Sequence, residues 1–218
     1  MPTPPRNDVQ TEIAAAAARL IAEDGLDYGS AKRKAAIEIL GDSGMRRTLP
    51  DNSLVEHELR RYLQTFDAEI HPRRLAALRA LALELMRRLA AFNPHLVGAV
   101  LNGTATAHSD IHLHLFTDSA KDVEVFLMNE GIDFDVDQPA GLGGAPGAPH
   151  EELHFVLPTR SAALPGRVGV VLSVHDTDAI RVAPRHRSAD RDLHPAESAG
   201  RAGLAAVQAL LKHVEDAT

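Results

Sequence analysis

A short alternating segment contains the residues of this chain best suited to chemistry. Between residues 109 and 116 the sequence reads SDIHLHLF. Because a strand projects successive side chains to opposite faces, this pattern predicts one apolar face and one face that holds Asp110, His112 and His114. A carboxylate and two imidazoles on one rigid element are groups that could bind a metal ion. The segment therefore predicts both a sheet and a candidate site on it.

The neighbouring segments indicate how this strand is placed. The apolar run Leu96 to Leu101 predicts a buried strand that ends at an Asn102-Gly103 turn. After the alternating strand, residues 119–129 have the spacing of a helix that stops at Gly131. Residues 132–136 alternate again, with Asp133 and Asp135 on the polar side. Residues 153–157 and 168–174 are two more predicted strands, after a Gly- and Pro-rich segment at 139–149 that predicts a loop.

This order of elements resembles the core of the nucleotidyltransferase superfamily that includes DNA polymerase β. In that family a Gly-Ser or Gly-Thr turn precedes a strand with an Asp-x-Asp motif, and a third carboxylate lies on a neighbouring strand. The resemblance implies a nucleoside triphosphate held by the turn and Mg²⁺ held by the carboxylates. It covers the part of the chain from Leu96 to Val136.

The resemblance transfers to this chain residue by residue, with departures. It implies three sets: catalytic Asp110, Asp133 and Asp135; phosphate-binding Gly103, Thr104 and Ser109; and metal-binding Asp110, His112 and Asp135. The main departure is His112, which stands where the family has its second metal-binding carboxylate. The link from Thr104 to Asp110 is also about four residues shorter than the common pattern, and it lacks the arginine often found there.

Each of these residues also has a simpler interpretation. Asp110 could cap local amides at the start of the strand, and Gly103-Thr104 could be only a tight turn. Asp133 and Asp135 could lie on a solvated strand face. His112 could be a remnant of a lost metal site, an exposed histidine with no role, or, with Asp110 and His114, a ligand for Zn²⁺, Fe²⁺ or Mn²⁺. His154 and His108 are further histidines that could complete such a site.

The chain also resembles a group of uncharacterised proteobacterial proteins of similar length, some of which carry a UDP-N-acetylmuramate–alanine ligase label. Such ligases use a glycine-rich phosphate loop that ends in Gly-Lys-Ser or Gly-Lys-Thr. None of the lysines in this chain follows a glycine. The sequence therefore argues against that activity.

Composition restricts the class of protein. The chain has 218 residues, 44% hydrophobic and 24% charged, which is typical of an ordinary globular protein. A net charge of −7 argues against a general nucleic-acid binder, and the absence of cysteine excludes disulfides and thiolate metal sites. With no signal pattern and no apolar run of transmembrane length, the sequence predicts a cytoplasmic protein without a membrane partner.

The front part of the chain is predicted to be helical. Apolar residues recur at helical spacing in four segments up to Asn93-Pro94, with Ser30 as the predicted cap of the second helix and Ser53 as that of the third. The fourth begins at His71-Pro72, and its arginines, Arg79 among them, are expected on solvated faces. These patterns predict an α+β fold with a helical region at 1–94, a nucleotidyltransferase-like mixed sheet at 95–183, and a linker and terminal helix at 184–218.

Two functions follow from these features. The favoured one is a catalytically degenerate nucleotidyltransferase-like protein that binds a nucleotide or another ligand, or binds a protein partner through its helical half. The alternative is an active Mg²⁺-dependent enzyme that moves a nucleotidyl group from a nucleoside triphosphate to an unknown acceptor. The histidine in place of the second carboxylate favours the first, because it removes negative charge where Mg²⁺ requires it.

Overall fold

The computed structural model describes residues 6–41, 49–137, 148–184 and 193–216. Within these residues the chain forms eight α-helices and a six-stranded mixed sheet, so the predicted α+β class is confirmed. The described residues fall into two compact units. The helical unit contains the chain up to residue 72 and also residues 104–108, and the sheet unit contains the rest. This division differs from the predicted one, because the fourth helix belongs with the sheet.

Three helices build the helical unit: α1 (Arg6–Asp24), α2 (Tyr28–Leu40) and α3 (Asn52–Phe66). Helix α1 packs against both α2 and α3. Small side chains allow this close approach, since six buried alanines line the contacts: Ala14, Ala17, Ala18, Ala31, Ala35 and Ala36. The caps differ from those predicted. Asp27 accepts a hydrogen bond from the Ser30 amide (3.0 Å), and Asp51 accepts one from the Leu54 amide (2.8 Å), so the predictions of Ser30 and Ser53 as caps are wrong.

The helices of the sheet unit are α4 (His71–Arg88), α5 (Gly98–Asn102), α6 (Ala120–Asn129), α7 (Pro195–Ser198) and α8 (Leu204–Asp216). Two short 3₁₀ helices lie at Ala90–Phe92 and Thr177–Arg181. Ser119 caps α6 by accepting a hydrogen bond from the Asp122 amide (3.2 Å). Helix α7 lies within the region 184–218, for which a linker and one terminal helix were predicted.

The strands are β1 (His95–Val97), β2 (Ile111–Phe116), β3 (Asp135–Asp137), β4 (Glu151–Pro158), β5 (Arg167–His175) and β6 (Ala202–Gly203). Their order in the sheet is β3-β4-β5-β2-β1-β6. Strands β2 and β5 are parallel, and every other neighbouring pair is antiparallel. The apolar alternation predicted for β2 is confirmed, since Ile111, Leu113 and Leu115 are fully buried.

The strand predicted from Leu96 to Leu101 is present only at Leu96 and Val97, in β1, and the prediction is wrong from Gly98 onward. The chain leaves β1 at Val97, and Gly98, at φ 69°, turns it into helix α5. Gly103, at φ 82°, ends that helix in the left-handed conformation that favours glycine. A short apolar run is compatible with either a buried strand or a buried helix, so periodicity alone does not separate the two.

Two other expectations have mixed outcomes. The predicted strand at residues 132–136 is displaced, because β3 begins only at Asp135. The loop predicted at 139–149 falls mostly outside the described residues.

Candidate functional site on the polar face of the sheet

Asp110 lies directly before β2, with its side chain exposed against a glycine of the neighbouring strand. Strands β2 and β5 run in parallel with Ile111 opposite Val170, so Asp110 is level with Gly169. A Cβ atom at Gly169 would lie only 2.2 Å from the Asp110 Oδ1 atom. The missing side chain therefore makes the room in which the carboxylate rests. A glycine inside a strand pattern is a known sign of such a close approach, and it was the signal available for Gly169.

The strand register gathers polar residues on one face of the sheet. His114 is opposite His95 on β1 and Ser173 on β5, and Phe116 is opposite His175. Paired residues project to the same face, so the face opposite the buried leucines of β2 is polar. We call it the polar face; its members are His95, Asp110, His112, His114, Phe116, Asp135, Glu152, His154, Ser173 and His175.

The predicted metal-binding residues are not brought together. Asp135 is opposite His154, which is opposite Val171, which is opposite His112. Asp135 and His112 are thus at the same level but three strand spacings apart, a distance of about 14 Å. Mg²⁺ requires oxygen ligands about 2.1 Å from the ion. The set of Asp110, His112 and Asp135 therefore does not fit one magnesium ion.

The other predicted carboxylate gives no alternative set. Asp133 lies just before β3, on the same side of β4 and β5 as Asp135. In the described part of the chain, no group of three or more histidine, aspartate or glutamate side chains has an arrangement that could hold a metal ion. The Nε2 atom of His154 is buried and has no hydrogen-bond partner among the described residues, but one histidine alone does not form a metal site.

The turn that was predicted to bind phosphate makes contacts within the protein. The Gly103 amide donates to the Ala99 carbonyl and so closes helix α5. A Cβ atom at Gly103 would lie 3.3 Å from the Glu197 Oε1 atom, so a carboxylate faces the glycine. Thr104 is 1% exposed, and its hydroxyl forms a hydrogen bond with Tyr28 within the helical unit. Ser109, which comes directly before Asp110 in the sequence, is half-buried.

Glu197 faces Gly103 because a buried arginine holds it there. Arg79 is 2% exposed and donates from Nη2 to Glu197 Oε1 (2.6 Å). It also donates to the carbonyls of Val100 and Leu101, each at 2.9 Å, which are backbone acceptors of α5. The expectation that Arg79 lies on a solvated face is wrong, because the α5 carbonyls and Glu197 compensate the cost of burying its charge. Sequence spacing gave no signal for a partner 118 residues away.

Four side chains surround the ring of Phe116 at the carboxyl end of β2. The ring centroids of His95, His175 and His114 lie 5.2, 5.4 and 6.4 Å from that of Phe116. The His114 and His175 centroids are 4.4 Å apart. The guanidinium carbon of Arg201 lies over the Phe116 ring at 5.0 Å from its centroid. We call His95, His114, Phe116, His175 and Arg201 the Phe116 cluster.

Three imidazoles of this face, those of His95, His112 and His114, are kept neutral. Burial, with His175 and Arg201 as the next causes, lowers the pKa of His114 to about 3. Burial and Arg201 lower the pKa of His95, although a hydrogen bond with the Asn93 carbonyl opposes them. Desolvation also lowers the pKa of His112, against the opposing effect of Asp110 and Glu152. At neutral pH these three imidazoles are therefore uncharged, and the permanent cation beside His95 and His114 is Arg201.

Comparisons with known proteins found no relative of this chain. No protein-family model, no curated protein and no solved structure matches the chain. Within the described residues, no helix combines the length and the apolar character needed to cross a bilayer.

Proposed function

We propose that this chain is a nucleotidyltransferase-like protein that has lost nucleotidyl transfer and works as a ligand-binding module, with the polar face as its ligand surface. One observation supports the proposal above the others. His112 occupies the position of the second carboxylate, and the nearest candidates for the third, Asp133 and Asp135, lie beyond two intervening strands. Nucleotidyl transfer through two metal ions requires ions about 4 Å apart that share carboxylates.

The surroundings of Gly103 support the same conclusion. A triphosphate site needs free amides and positive potential. Here the Gly103 amide is used in closing α5, and the nearest charged oxygen belongs to Glu197. Because Arg79 pairs with Glu197 here, the two charges offset each other and leave no net positive potential for a phosphate group at this turn. Neither half of the catalytic arrangement, the metal ligands or the phosphate turn, finds support in these contacts.

The polar face retains what a binding site requires. It combines half-buried, neutral imidazoles of His95 and His114 with a cation, an aromatic ring and the hydroxyl of Ser173, which donates to Glu152 (2.9 Å). Recognition sites place a few polar groups on a rigid apolar support, and here the support is the buried face of the same sheet. The alternative, an active Mg²⁺-dependent nucleotidyltransferase, needs Asp110 and a β3 carboxylate on one ion, which this register disfavours.

The proposal is tested by titrating the protein calorimetrically with ATP, GTP, CTP and UTP, with and without Mg²⁺ or Mn²⁺, while the histidine ring signals are followed by NMR. We expect at least one nucleotide to shift rings of the polar face, with an affinity that does not depend on the metal. The variant His112→Asp, which restores the family motif, is the matched control and should not create metal-dependent binding. Metal-dependent binding that Asp110→Ala removes would overturn the proposal, and so would four nucleotides without effect on these rings.

A further inference from the structure

The Phe116 cluster places polar side chains from three adjacent strand positions around one aromatic ring. His114 lies on β2, His95 on β1, and Arg201 directly before β6. His95, His114 and Arg201 are half-buried, whereas Phe116 and His175 are 4% exposed each. The three half-buried side chains are therefore the ones a ligand can reach, on a base formed by the other two.

We propose that the Phe116 cluster is the binding site for a phosphate group, with Arg201 as its charged donor and His114 as its neutral donor. This inference rests on the proposed function, since it names the ligand class of the polar face. A phosphate group has more acceptor oxygens than a carboxylate, so it matches donors that arrive from several directions. The arginine fork and imidazole N–H groups are suited to such oxygens.

Within the described residues, the guanidinium of Arg201 is held in place by backbone carbonyls and not by a carboxylate. Its Nη2 atom donates to the carbonyls of Ile180 (2.5 Å) and Val182 (3.3 Å). Over the described residues, no carboxylate lies within ion-pair distance of it, and its Nε and Nη1 atoms have no hydrogen-bond acceptor. A partly buried cation without an anionic partner is costly, and an incoming anion would relieve that cost.

Nearby carboxylates already have partners of their own. Asp176 pairs with His150 (2.8 Å), and Asp178 pairs with Arg181 (3.3 Å). Asp118 accepts from the Thr177 hydroxyl (2.5 Å), and Glu152 accepts from Ser173. Among the groups that act on His114, Arg201 is the permanent cation. This guanidinium, and not the neutral imidazoles, is what attracts an anion to the cluster.

A cation is a poorer occupant of the same place. Three histidines suggest a transition metal, but the Arg201 charge repels one. The described residues also contain no group of three side chains arranged to hold an ion. The positive charge that argues against a metal is the charge that a phosphate group would use.

The test is a titration of the full chain with inorganic phosphate in the presence of EDTA, followed by calorimetry and by the histidine ring signals. We expect phosphate to shift the His95 and His114 rings and to bind about tenfold or more weakly in Arg201→Ala, because a charge-assisted donor is lost. Arg201→Lys keeps the charge and should lose less affinity. Arg181→Ala removes an exposed arginine of the adjacent 3₁₀ helix and should bind as the wild type does. Thermal unfolding shows which variants remain folded.

Parallel titrations with ATP and with succinate identify the source of the group. Binding of phosphate or ATP that depends on Arg201 supports the inference, and ATP alone would identify the group as part of a nucleotide. Succinate bound in preference to phosphate would overturn the assignment to phosphate. ATP binding that shifts His112 or His154 without regard to Arg201 would overturn the inference and leave the proposed function standing. No effect of any of the three at millimolar concentration would overturn both.

Discussion

The position of the Asp110 carboxylate depends on the absence of a side chain at its neighbour on β5. Gly169 has no side chain, and the carboxylate occupies the space where a Cβ atom would be. The contact involves only these two residues, one before β2 and one within β5. It can therefore be tested by a double-mutant cycle, in which the effect of each substitution is measured with and without the other.

We expect Gly169→Ala to lower the free energy of unfolding by about 0.5–1.5 kcal/mol, since the new methyl group overlaps the carboxylate and forces the Asp110 side chain away from its position. Most of this loss should disappear in the Asp110→Ala background, because the overlapping atoms are gone. Urea denaturation of the two single variants and the double variant gives the coupling free energy. Gly166→Ala is the control, since a Cβ atom there meets nothing within 4 Å. Equal losses from Gly169→Ala in both backgrounds would show that the carboxylate does not lie against this glycine.

At the scale of elements, Arg79 joins three helices that are distant in sequence. It belongs to α4, donates to two carbonyls of α5 and pairs with Glu197 of α7. The pair is nearly inaccessible, with side-chain exposures of 2% for Arg79 and 15% for Glu197. Removal of one partner leaves a buried charge and two carbonyls without their donor.

We therefore expect Arg79→Met to lower the free energy of unfolding by about 3–5 kcal/mol. Arg87→Met makes the same chemical change at an exposed position of the same helix and should cost less than about 0.5 kcal/mol. Chemical denaturation of both variants measures the difference. If the two arginines cost the same amount, the buried network does not hold these helices together.

The elements differ in how well the sequence predicts them. Strict alternation along β2 determines its two faces, because only a strand places Ile111, Leu113 and Leu115 together. The register that sets His95 and His175 beside His114 depends on pairing between distant strands, which one sequence does not contain. Arg79 shows the same limit, since its charge predicts exposure until Glu197 is known to face it. For the candidate site, the sequence predicts Asp110, His112 and His114 on one face but not the Phe116 cluster.

At the scale of the whole molecule, the histidines with lowered pKa values make stability depend on pH. The pKa of His114 in the folded state, about 3, is below its ordinary value of 6.5. The unfolded chain therefore binds more protons between these two values, so stability is lost as the pH falls from about 6.5 toward 3. His95 and His112, whose pKa values are also lowered, contribute in the same direction.

Between pH 6.5 and 3, we expect the free energy of unfolding of His114→Asn to fall by about 1–2 kcal/mol less than that of the wild type. The difference is limited because the His114 ring is half-buried and partly screened by solvent. Unfolding free energies from urea titrations at a series of pH values supply the comparison. Parallel losses in the two proteins would mean that His114 takes no part in the acid sensitivity.

The proposed loss of nucleotidyl transfer depends on the distance between the carboxylates of Asp110 and Asp135. The most direct measurement is a calorimetric titration of Mn²⁺ in the presence of ATP into the wild type, Asp110→Ala and Asp135→Ala. Because two strands separate Asp110 from Asp135, the two residues should not share a metal ion. We therefore predict that the two substitutions do not both abolish the same metal-dependent ATP-binding event. If one such binding event in the wild type disappears in Asp110→Ala and in Asp135→Ala alike, the two residues share a metal ion. The chain would then be an active nucleotidyltransferase candidate, and its description as a catalytically degenerate binding module would be wrong.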